Sequence, residues 1–182
     1  MNLHDSPEIE AFWDEACKAL AIAKDARRFA LPFVEFSDDE TPKMLQIIDD
    51  IAELAVQGLK RGTCHLAMQF DIEKVPMRRV GDYWIVVRTD GTPVCVAQII
   101  AISILPFDRV GPEFAASEGP EDGGIPSHAR WSALHREYFQ EQCERWEVGW
   151  SKDHSVVCES FITVYSPGKP WGEGPVAAGE TS

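Results

Sequence analysis

Positive charge is scarce in this chain. Its 182 residues hold 17 Lys and Arg against 30 Asp and Glu, a net charge of -13. Long nucleic acids are gripped mainly by neutralising their phosphates, so an overall acidic surface argues against that role. One basic cleft, a small nucleoside ligand or a basic protein partner all stay open. Long apolar runs are also missing. None approaches the ~20 residues of a membrane span, so we expect no membrane partner. The opening MNLHDSPEIE is acidic and polar, and we expect no secretion signal there. Paired cysteines are missing as well. Cys17, Cys64, Cys95, Cys143 and Cys158 are odd in number, widely spread and without a CxxC. That spacing speaks against a disulfide framework or a zinc knuckle, and favours a reducing cytoplasm. Each cysteine reads first as a small buried apolar residue. The five His and five Cys show no ligand spacing, so we expect neither metal nor cofactor.

What is present is the make-up of a globular domain, with 45% hydrophobic residues and 26% charged. The segment DSPEIEAFWDEACKALAIAKDARRF predicts a helix. Ser6 would cap it, Pro7 would open it, and Ile9, Phe12, Trp13, Ala16, Leu20 and Ala23 follow helical spacing. Pro32 breaks the pattern. ETPKMLQIIDDIAELAVQGLK predicts a second helix, capped by Thr41, opened by Pro42 and closed near Gly58. TCHLAMQF then reads as a strand. Tyr83 to Arg88 and Val94 to Leu105 flank the turn-forming TDGTP and predict a hairpin. A short helix in VGPEFAASEG, a Gly/Pro-rich acidic loop EGPEDGGIPS, a long helix over Ala129 to Trp146 and a closing strand in HSVVCESFITVY follow. The order is helix, helix, strands, helix, strand, without βαβ alternation. It predicts an α+β fold with a mostly antiparallel sheet, which closure into a small barrel would protect at its edges.

Four pieces in this order, GLKRGT after a helix, VGDYWIVVRTDGTPVCVAQI, FAASEGPED, and ARWSALHREYF followed by VVCESFITVY, resemble ASCH-domain proteins. Within them, the chain is similar to the larger subfamily with an N-terminal helical extension. The resemblance implies a small, mostly antiparallel PUA-like β-barrel surrounded by helices, with a two-helix extension before it. It divides the chain into an extension over 1–40, an ASCH domain over 41–165 and a flexible tail over 166–182. It also implies a cleft for RNA or a nucleoside-like ligand. Some members are amidohydrolases that deacylate N-acetylated cytidine, another is a ribonuclease, and a non-catalytic RNA-binding module is the remaining reading.

The hydrolase pattern is a lysine, a threonine three residues later and a glutamate in the acidic loop. It falls on Lys60, Thr63 and Glu118. Where many members carry an arginine five residues after the lysine, this chain has His65. Each position also has a plain structural reading. Lys60 suits a helix C-terminus, Thr63 the start of a strand, and Glu118 a solvated loop. If Lys60 faced Glu118, each would hold the other charged, making Lys60 a poor base. Around these we place His65, Arg78, Arg79, Trp131 and His135 as ligand-binding candidates. Arg78 and Arg79 read alternatively as solvated surface. His135 reads as a half-buried satisfied histidine and Trp131 as core. Glu159, in mid-strand, needs a partner such as Lys60 or Arg79 if it points inward.

Overall fold

The computed structural model describes residues 6–34, 41–120 and 127–168. The acidic loop over 121–126 and the tail beyond 168 lie outside the described residues, as do residues 1–5 and 35–40. Five strands make one sheet, in the order β1-β3-β4-β5-β2. In chain order the elements are α1 (Pro7–Leu20), β1 (Arg28–Leu31), α2 (Pro42–Val56), β2 (Gly62–Leu66), α3 (Ala67–Ile72), β3 (Tyr83–Val87) and β4 (Pro93–Pro106). A short 3-10 turn, α4 (Pro112–Ser117), α5 (His128–Arg145) and β5 (Ser155–Tyr165) complete them. The α+β class and the mostly antiparallel sheet agree with the sequence expectation. No described helix is long and apolar enough to cross a membrane.

The chain forms two compact units. One comprises 1–58, 81–99 and 162–182. In it, Ser6 accepts the Ile9 amide at 3.2 Å and starts α1, with Pro7 at the first turn. The helix ends at Leu20, nine residues before the predicted Phe29, because Ala21 turns left-handed and the Ile22 amide returns to Cys17. Trp13 then holds the returning chain by donating its indole N–H to the Lys24 carbonyl at 3.0 Å. The residues beyond become β1, which pairs in parallel with β3. A four-residue strand carries too little periodicity to be seen in sequence, and its pairing is long-range. Ile9, Phe12, Trp13 and Ala16 bury against Ala30, Ile85 and Val96, each large apolar side chain contributing ~1.5–3 kcal/mol. The β3–β4 hairpin pairs Tyr83 with Gln98 and Ile85 with Val96. Its turn uses Gly91 at φ +87° and Asp90, whose carboxylate accepts the Thr92 amide. Asp82 is buried and paired with Arg27.

The second unit comprises 59–80 and 100–161. Here β2 pairs antiparallel with β5, Gly62 opposite Ser160, Thr63 opposite Glu159, Cys64 opposite Cys158 and His65 opposite Val157. The strand predicted over 63–70 stops at Leu66 and turns into α3, whose Met68 packs on the core under β2. That core joins Leu66, Cys64, Val156 and Cys158 to Phe107, Trp131 and Phe139.

Candidate functional site

Side chains alternate across a strand, so β2 serves two faces. Gly62, Cys64 and Leu66 point to one, Thr63 and His65 to the other. Buried charged groups lie on both faces and stay within electrostatic reach of one another, since Glu118, Lys60 and His135 all act on His65.

On the Cys64 face, α4 approaches β2 very closely. A Cβ at Gly62 would lie 2.3 Å from Ser117 Oγ and 3.3 Å from the Phe114 ring. The Arg61 amide donates to the Ser117 carbonyl at 2.6 Å, locking the end of α4 to the strand. Glu118 caps α4 and is aimed at Lys60, which follows the turn that ends α2. Lys60 Nζ donates to Glu118 Oε2 at 2.8 Å and to the Glu118 carbonyl at 3.3 Å. Both side chains are about nine-tenths buried, at 7% and 10% exposure. Across the carboxylate, His135 Nε2 stands 3.4 Å from Oε1. His135 is fixed on α5 by its Nδ1, 3.0 Å from the Trp131 carbonyl one turn earlier, and by stacking on the Trp131 ring at 4.3 Å. Cys64 completes the group. Its sulfur, a Glu118 oxygen and a His135 nitrogen all lie within 4.8 Å of one another.

The electrostatics follow from this packing. Burial opposes ionisation of Glu118, but the cation of Lys60 and the imidazole of His135 outweigh it, holding the carboxyl below its usual range. Burial first, then the Glu118 charge, pushes the Cys64 thiol well above its usual value. Cys158 is pushed up to about 12, again by burial first. All five cysteines are free and buried, as their spacing led us to expect.

On the other face, Glu159 is fully buried and its partner is Arg78, not Lys60 or Arg79. Arg78 Nε donates to Glu159 Oε2 at 2.8 Å, and a terminal nitrogen lies 2.7 Å from the same oxygen. That terminal nitrogen also lies 3.1 Å from His65 Nε2. Burial, then the Arg78 cation, lowers the His65 pKa to about 3, so its ring is neutral and accepts from Arg78. His65 also meets the Phe70 ring edge-on at 5.9 Å.

Of the sequence candidates, the fold brings together Lys60, Glu118, His135 and Trp131. Thr63 stands across the ladder from Glu159, on the face turned away from Cys64. Arg78 is 5% exposed and holds a carboxylate, while its neighbour Arg79 is at the surface. Trp131 is 1% exposed and its ring stacks between His135, His128 and Phe107. It walls the site and offers no open face to a base. Cys64 is the member that sequence reasoning missed. Its spacing from Glu118 and His135 follows no local rule, and only the β2–α4–α5 contacts unite them.

A family model for the ASCH domain matches residues 37–165. No curated protein matches the chain. Among solved structures, the ASCH domain from Lactobacillus crispatus JV V101 is 25% identical, with a TM-score of 0.71 over 90% of this chain and 98% of that one. A protein from Enterococcus faecalis V583 is 20% identical, with a TM-score of 0.70 over 91% and 98%. That second likeness is one of fold. With its family match spanning most of the described residues, and with the same fold around it, this chain belongs to the ASCH-domain family.

Proposed function

We propose that the Lys60–Glu118–His135 site takes a nucleoside-like ligand and hydrolyses an acyl amide on its base. The observation that carries this reading is the buried ion pair at 2.8 Å with an imidazole on its far oxygen. A charged lysine next to an ionised carboxylate is suited to two separate tasks. Lys60 is a fixed cation for a developing oxyanion. Glu118, held ionised, is a proton acceptor. As water adds to the acyl carbonyl carbon, its proton passes to Glu118 and the carbonyl oxygen gains charge beside Lys60. When the C–N bond breaks, Glu118 returns the proton to the departing exocyclic nitrogen. The products are the free amine and the carboxylic acid.

The test is turnover of a panel of N-acylated cytidines and adenosines by purified protein, followed by chromatography. We expect deacylation by the wild type and a loss of at least ~100-fold in Lys60→Met and Glu118→Gln. Full turnover in both variants would refute these roles.

A second reading, RNA binding without catalysis, rests on a different observation. Residues 59–80 carry Lys60, Arg61, Lys74, Arg78 and Arg79 against Asp71 and Glu73, in a chain that is otherwise strongly acidic. Arg61, Lys74 and Arg79 are exposed. The association of ASCH domains with RNA is in line with this reading. Binding of a short single-stranded RNA should fall with added salt, and the slope should flatten in Arg61→Ala and Arg79→Ala. No binding at low salt removes this reading, and cleavage of the RNA lost in Lys60→Met would turn it into a ribonuclease.

A further inference from the structure

We propose that Cys64 Sγ, Glu118 Oε1 and His135 Nε2 form a three-ligand site for a Zn2+-like divalent cation. The three residues come from β2, from the end of α4 and from α5, and one ligand atom of each lies within 4.8 Å of the others. Zinc bonds of ~2.3 Å to sulfur and ~2.0–2.1 Å to nitrogen or oxygen, in a tetrahedron, set N and O ligand atoms ~3.3 Å apart. His135 Nε2 and Glu118 Oε1 are 3.4 Å apart. The donor set is one sulfur, one nitrogen and one oxygen. It suits zinc or cobalt and not magnesium or calcium, which take oxygen shells.

Two further observations point into the site. Glu118 Oε1 is buried and has no well-formed hydrogen bond among the described residues, while the carboxylate faces His135 Nε2 at 3.4 Å and interacts with the Cys64 thiol. Its twin Oε2 is already engaged by Lys60, so the two oxygens divide their work, one for the ammonium and one facing the thiol and imidazole. His135 turns Nδ1 to the Trp131 carbonyl, which makes Nδ1 the donor and leaves Nε2 to present its lone pair towards Oε1. A carbonyl on the non-ligating nitrogen is the usual support of a metal-binding histidine. An acceptor facing an acceptor calls for a cation between them, whether a proton on Nε2 or a metal ion. The nearby sulfur favours the metal. Three protein ligands leave a fourth position open.

The inference uses Glu118 and His135 of the proposed ligand site but does not depend on what that site binds, because its readout needs no substrate. The full chain, reduced and stripped with a chelator, is titrated with Co2+ alone and followed by absorbance. One equivalent should raise a thiolate-to-cobalt charge-transfer band and the intense d–d bands of a four-coordinate ion. One equivalent of Zn2+ should erase both. Cys64→Ser should lose the charge-transfer band, and His135→Gln should weaken binding by more than ~10-fold. Cys158→Ser, on the opposite strand, should behave as the wild type. Circular dichroism confirms that each variant is folded. Should Cys64→Ser not fold, His135→Gln decides alone. No thiolate band in the wild type, a band that survives in Cys64→Ser, or unchanged affinity in His135→Gln each overturns the proposal. Glu118 would then be held by Lys60 and a protonated His135 alone.

Discussion

At the scale of single residues, the site is governed by what its buried charges lose if left alone. Removing one member of a buried ion pair strands the other, at a cost of ~3–5 kcal/mol. Lys60→Ala should therefore lower stability by about that much in urea denaturation. Lys60→Met combined with Glu118→Gln should recover most of it, because no bare charge remains. An unchanged urea midpoint in Lys60→Ala would show the pair to be loose in solution. His65 gives the pH signature. Its folded pKa of about 3 lies below its ordinary 6.5. The unfolded chain thus takes up a proton that the folded chain refuses. This group's stability is complete above pH 6.5 and drains as the pH falls towards 3, by up to ~1.4 kcal/mol per unit. Glu118 adds a loss of the same sign once the pH drops below the ordinary carboxylate range. The wild type should show a falling urea midpoint between pH 6.5 and 4, and His65→Gln should flatten it. A flat wild-type curve would contradict a buried neutral His65. Lys60 and Glu118 came into view in the sequence only through the resemblance to ASCH-domain proteins. That Arg78 and not Arg79 meets Glu159 was hidden because nothing in VPMRRVG tells which arginine turns inward, and Cys64 was missed because its partners lie far along the chain.

At the scale of elements, the contact between β2 and α4 sets where Glu118 points. Gly62 allows it by having no side chain. Gly62→Ala would drive a Cβ into Ser117 Oγ and break that hydroxyl's hydrogen bond to the Phe114 carbonyl. We expect a loss of ~1–3 kcal/mol and a displaced Glu118. Adding Ser117→Ala should restore part of the stability, a rescue that a double-mutant cycle reads directly. If the two changes were simply additive, the close approach would be absent in solution. The caps of α1 and α2, Ser6 and Thr41, were read in the sequence, each followed by proline, whereas Ser127, which caps α5, was not. Ser127→Ala should cost ~1 kcal/mol at the start of the helix that carries His135, again by urea denaturation. The turn from β2 into α3 was not marked. AMQF suits strand and helix alike, and packing of Met68 onto the core decides between them.

At the scale of the whole molecule, the five cysteines are all buried and free. A thiol reagent should leave native protein unlabelled over the time in which unfolded protein reacts at all five, and rapid native labelling would mean that a core opens readily. The α+β class and the hairpin were legible from the order of elements and from TDGTP. The parallel β1–β3 pairing was not, since it joins residues more than 50 apart in the chain. The alternation of β2 between two faces has a consequence for how the chain avoids error. Shifting β2 by a single residue against β5 exchanges its faces. Cys64 would then leave the face it shares with Glu118 and His135, and His65 the face on which it meets Arg78. A slipped apolar strand costs some packing. Here a slip would also part buried polar groups from their partners, a cost that favours the native register.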